Sequence, residues 1–158
     1  MRAAGFPALA YCAMALTGLA MAAPPALAQA RPDPAAPPRA AGSLTAHCSG
    51  GITGGGGGSR ILADGTVTRL EQPRAGVPLV LSPLGTDRDA YRRWVAVLEA
   101  AGFARLAEHR AGNVTCSLTQ EVGGRLVGVA WPSEAPPTRI PEPVRRVFTE
   151  LRNWSPPP

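Results

Sequence analysis

From Ser43 to Leu151 the apolar residues recur with two spacings, and each spacing predicts its own elements. Leu44, Ala46 and Cys48 alternate with Thr45 and His47, the pattern of a short strand with one buried face. Arg60-Ile61-Leu62 and Thr66 to Leu70 flank Ala63-Asp64-Gly65, and Asp-Gly between two such runs predicts a hairpin. Val77 to Leu81 reads as a further strand, which Pro78 confines to a sheet edge or to irregular structure. Asn113 to Gln120 sets Val114, Cys116 and Leu118 on one face. Gly123-Gly124 then turns the chain, and Arg125 to Trp131 returns as the second arm of another hairpin.

The other spacing is helical. Tyr91, Trp94, Val95, Leu98 and Ala101 fall on one helix face. Thr86 is the expected N-cap, with Asp89 three residues on completing a shortened capping box. Gly102 suits the position after the helix, with Phe103 folding back onto Leu98. Val144, Val147, Phe148 and Leu151 predict a second amphipathic helix, with Pro143 near its start and Trp154 docking after it. Strands and helices in this order predict an α+β fold: a small antiparallel sheet of four to five strands with two helices packed on one face.

The flanking segments carry a different composition. Met1-Arg2 opens with a positive charge, Ala8 to Ala23 is uncharged and apolar, and Ala26-Leu27-Ala28 is an A-x-A cleavage pattern. Residues 1–28 therefore read as a secretory signal peptide, not a stable membrane span. Residues 29–42 are rich in Ala, Pro and Arg and read as a disordered tether. Residues 43–154 form the single domain, and 155–158 a proline tail. The expected location is secreted or periplasmic.

Charge adds little. The net charge is +5 and every basic residue is Arg, yet the arginines are scattered and come in runs no longer than two. With three Trp and two Tyr in the whole chain, no basic and stacking array for nucleic acid is visible. Cysteine changes the picture more. Cleavage after Ala28 removes Cys12 and leaves Cys48 and Cys116, which in an exported chain are expected to form one disulfide. A metal site from His47, Cys48, His109 and Cys116 lacks the paired spacing that zinc sites show, and no metal or cofactor is expected. Neither histidine stands in a nucleophile motif, and no carboxylate pair for hydrolysis is identifiable. Gly54 to Ser59 lacks the lysine of a phosphate-binding loop. The chain is therefore not expected to be an enzyme.

One stretch remains unexplained by packing. Gly50 to Gly58 contains seven glycines in nine positions, between two strand-like runs. Such a loop turns tightly and lets another backbone approach closely. It reads either as a surface presented to a protein partner, with Ser49, Gly50, Gly51, Ile52, Thr53 and Gly54 as the contact residues, or as a flexible linker between the two strands.

Ser49-Gly50-Gly51 followed by Gly54, the Asp64-Gly65 turn, and a helix ending in Ala101-Gly102-Phe103 with Leu106 beyond it form a recognisable layout. With the later hairpin and the short C-terminal helix, this layout resembles the emfourin (protealysin-inhibitor) family over roughly Cys48 to Leu151. Where that family carries an aromatic residue after the Gly-Gly pair, this chain has Ile52. The resemblance implies an inhibitor of a thermolysin-like metallopeptidase that occludes the peptidase cleft with the Gly-rich loop. The alternative is an exported envelope or periplasmic binding module without inhibitory activity.

Overall fold

The structure is a computed structural model and describes residues 42–156. The signal peptide, nearly all of the tether and the last two prolines of the tail lie outside the described residues.

Among the described residues six strands form one antiparallel sheet: β1 (Ser43–Gly50), β2 (Gly55–Leu62), β3 (Thr66–Gln72), β4 (Val80–Thr86), β5 (Val114–Val122) and β6 (Arg125–Pro132). Their order across the sheet is β4-β3-β2-β1-β5-β6. The α+β class stands, but the expected four to five strands become six. The strand expected over Val77 to Leu81 is β4, which begins three residues later, at Val80, and carries Pro83 as well as exposed apolar residues. Its pairing with β3 shifts between Val67 and Thr68, which lets a proline-bearing strand follow the twist of the edge.

Alternation decides which face is buried. Leu44 and Ala46 of β1 share a face with Ile61 of β2, Val67 of β3, Leu118 of β5 and Val129 and Trp131 of β6. All seven are buried. They form one core with α1 (Arg88–Ala100) and α2 (Glu142–Arg152), which supply Ala90, Trp94 and Leu98, and Val144, Val147, Phe148 and Leu151. Trp131 and Phe148 meet edge to face, ring centres 4.7 Å apart, which ties α2 to the sheet. Trp94 Nε1 donates to Glu150 Oε2 at 2.7 Å and so joins the helices. Trp154 is buried after α2, as its position suggested.

The helix ends follow their local chemistry. Asp87, not Thr86, caps α1: its carboxylate accepts from the Ala90 N–H at 2.8 Å. Thr86 is instead the last residue of β4, paired to Thr66, so its backbone is committed to the sheet. At the other end Gly102 is left-handed, its N–H donates to the Glu99 carbonyl, and Phe103 is buried at the start of a short turn of helix, Phe103–Arg105.

The two sheet edges differ. At β6 the segment after that turn runs alongside: the Arg110 N–H donates to the Ala130 carbonyl and the Ala130 N–H to the Glu108 carbonyl. Arg139 clamps this segment through both oxygens of Glu108, at 2.7 and 2.8 Å. No such cover lies along β4 among the described residues.

Candidate functional site

The glycine stretch is two structures, not one loop. Gly51 to Gly54 make the turn between β1 and β2, while Gly55 to Gly58 are the first half of β2, near the middle of the sheet. The reading of Gly50 to Gly58 as a single outward loop is corrected accordingly. Polar backbone groups in a glycine run would be free only if the run stayed out of the sheet. Here β1 and β3 pair with both sides of β2.

The expected contact residues Ser49, Gly50, Gly51, Ile52, Thr53 and Gly54 are together at this hairpin end. The turn is tied on both sides. The Gly51 N–H donates to the Asn113 carbonyl at 2.7 Å, and the Ala75 N–H to the Thr53 carbonyl at 2.9 Å. The Gly54 N–H closes the turn on the Gly51 carbonyl, and Gly51 and Gly54 both need positive φ (74° and 61°). Ile52 projects from this anchored tip, fully exposed at 106 %. It makes no backbone hydrogen bond among the described residues.

Beside the tip, on the helix-covered face, lies a cavity of about 670 Å³. Its floor is bare backbone, because Gly50, Gly55 and Gly57 fall on that face next to Cys48. Glu71, Glu134, Arg69, Arg152 and Asn153 stand around it. Arg69 is engaged with the end of α2: its guanidinium donates to the Arg152 and Trp154 carbonyls, and the Ser59 hydroxyl also donates to the Arg152 carbonyl. The bonds to Arg152 satisfy a carbonyl that the helix itself leaves open. The sequence pattern gave no signal for this cavity, which needs three glycines from two strands and the end of a distant helix.

The glycines have separate reasons. A Cβ at Gly58 would lie 2.0 Å from the Ala46 carbonyl oxygen, and one at Gly55 2.5 Å from that of Gln72. A Cβ at Gly57 would meet nothing nearer than the Leu70 carbonyl oxygen at 3.4 Å, an ordinary contact. Gly57 is thus the strand glycine whose missing side chain leaves open space.

Cys48 and Cys116 are bonded, as expected, and are direct partners in the β1–β5 register. A formed disulfide accords with an oxidising compartment. No group of three or more metal-ligating side chains occurs among the described residues, and none of their helices is long and apolar enough to cross a membrane. His47 points to the opposite sheet face from Cys48. Its Nε2 is buried without a hydrogen-bond partner. Burial, and then the Arg152 charge, lower its pKa below the usual histidine value.

That shift has a sign for stability. The folded state resists the proton that the unfolded chain accepts near pH 6.5. Stability is therefore full above that pH and falls as the pH drops below it. Glu108, lowered chiefly by its Arg139 hydrogen bonds, and Asp64, lowered chiefly by the Thr66 N–H, lose their contributions only in the carboxylate range. A thermal-unfolding series from neutral to mildly acidic pH should show a falling Tm, and His47→Gln should flatten it. An unchanged slope in that variant would assign the dependence elsewhere.

The chain matches no protein-family model and no curated protein.

Proposed function

We propose that the protein is an exported small inhibitor of a metallopeptidase, acting by seating the β1–β2 tip in the peptidase cleft. One observation carries this reading: a fully exposed Ile52 on a turn held at both ends. A bulky apolar side chain on such a tip can enter an apolar specificity pocket. The free N–H and C=O of Ile52 can pair with an extended cleft wall, as a substrate backbone does. Because the turn is already ordered, little conformational entropy is lost on docking. The resemblance over Cys48 to Leu151 points to the same class of target, a thermolysin-like enzyme.

The test is inhibition of a thermolysin-type peptidase by the chain beginning at Gln29. Competitive inhibition is expected, and Ile52→Asp should weaken it by about thirtyfold or more, the loss of a roughly 2 kcal/mol anchor. The substitution touches no neighbour, so Tm should not move. A folded chain that leaves the peptidase unaffected at micromolar concentration overturns the reading, as does full potency in Ile52→Asp.

A second reading, an exported binding module without inhibitory activity, is favoured by the uncovered edge strand. Leu79, Val80 and Leu81 are each about half exposed there, at 47, 49 and 53 %. Edge strands of this kind accept an added strand from a partner. Binding of a periplasmic partner without loss of peptidase activity would select this second reading.

A further inference from the structure

The disulfide and the glycine-floored cavity are neighbours in a way that neither the core nor the tip requires. Register places Glu71, Gly57, Cys48, Cys116 and Trp131 side by side across five strands, on the helix-covered face. The sulfur bridge lies along this row. On its Cys116 side stands Trp131, fully buried, and Cys116 itself has no exposure. On its Cys48 side stands Gly57, with no side chain at all. The cavity is lined by Cys48 and not by Cys116. Cys48 retains 6 % exposure.

Attack on a disulfide comes in line with the bond that breaks, since the incoming electron pair enters the antibonding orbital on that axis. Along the row, the position next to Cys48 on the side away from Cys116 is Gly57, which carries no side chain. At the other end of the row Cys116 has no exposure and its neighbour Trp131 is buried. Backbone geometry does not demand glycine at position 57, where a Cβ has ordinary room. The vacancy is therefore a property of the site. At about 670 Å³ it lies within the range of small-molecule pockets.

We propose that Cys48 is a thiol-modification site, entered through the Gly57 gap by a low-molecular-weight thiolate. The thiolate sulfur bonds to Cys48 Sγ, the Cys48–Cys116 bond breaks, and its electron pair leaves on Cys116 Sγ. That sulfur takes a proton from solvent. The product is a mixed disulfide at Cys48 and a thiol at Cys116, with no other oxidant or reductant consumed. The new thiol has an acceptor in place, since the Glu134 carbonyl oxygen is 3.9 Å from Cys116 Sγ. The adduct occupies the cavity, whose lining includes Gly50 and Gly55, the strand residues that flank the hairpin turn.

The experiment treats the folded, oxidised protein with cysteamine. Time points are quenched in acid, then denatured, alkylated and mapped by peptide mass. The expected product carries cysteamine on Cys48 and the alkyl group on Cys116, at a rate proportional to cysteamine. Gly57→Val, which fills the gap, should slow the reaction by about tenfold or more, with Gly57→Ala intermediate. Unfolding curves report whether each variant folds; should Val prevent folding, Ala alone decides. Adduct on Cys116, equal labelling of both sulfurs, no adduct on Cys48, or an undiminished rate in the folded Gly57 variants overturns the proposal. A rate that does not respond to cysteamine concentration also overturns it, because opening would then follow global unfolding. The inference stands apart from the inhibitor reading, since labelling is measured without a peptidase.

Discussion

Replacing Cys48 and Cys116 together by alanine is expected to lower the unfolding free energy by roughly 4 kcal/mol, the chain-entropy value for a bridge of this span. The bridged residues are 68 apart in sequence, so the cross-link removes a large part of the unfolded chain's freedom. A domain of this size holds about 5–15 kcal/mol in total. Its aromatic content is 5 %, so the core has few large groups to compensate. The bridge also joins β1 to β5 at the centre of the sheet, between the two hairpins. Urea unfolding of the double variant, compared with the oxidised parent, reads the loss directly. A loss below about 1 kcal/mol would mean that the unfolded chain is already compact there or that the bridge is strained in the folded state. The same double variant should leave the Ile52 tip formed at low temperature, because the tip is held by backbone bonds to Asn113 and Ala75.

Much of this architecture was legible along the chain, for reasons that can be named. Both helices appear where apolar residues repeat at helical spacing, since Trp94, Leu98, Val147 and Phe148 had to reach one core. The Asp64-Gly65 hairpin follows from a glycine at positive φ and an aspartate accepting from the Thr66 N–H. Pairing of Cys48 with Cys116 follows from the cysteine count and the compartment that the sequence led one to expect. What could not be read was lateral. Alternation says which residues share a face, but not which strand lies next to which. So the row Glu71, Gly57, Cys48, Cys116, Trp131 had no sequence signature. The glycine run misled for a related reason. Glycine is depleted in strands, so a run of it suggests a loop. Here close approach of β1 and β3 makes glycine the residue that fits at Gly55, Gly56 and Gly58, and tertiary pairing overrides the preference. The helix cap slipped by one residue because Thr86 and Asp87 are both good caps. The sheet decided between them by holding Thr86.

The adjacent glycines 57 and 58 should respond oppositely to alanine. They alternate between sheet faces, and only one face has room. In Gly58→Ala the new methyl would lie 2.0 Å from the Ala46 carbonyl oxygen and 2.8 Å from the His47 Cα, both backbone atoms of the paired strand. No rotamer relieves a Cβ clash, so β1 and β2 must move apart where they carry the tip. The cost is expected at about 3 kcal/mol, the upper part of the overpacking range. The β1–β2 amides should lose protection from hydrogen exchange. In Gly57→Ala the methyl meets the Leu70 carbonyl oxygen at ordinary contact distance, and stability should stay within about 0.5 kcal/mol of the parent or rise slightly. Loss of unfolded-state freedom acts on both substitutions alike and cancels in the comparison. The difference between the two variants therefore isolates free space above Gly57. Equal destabilisation would mean that the gap is filled in solution, which would remove the path to Cys48 and the cavity together. A difference of several kcal/mol would leave glycine at position 57 with no role in holding the sheet, and its vacancy as the feature that opens the site.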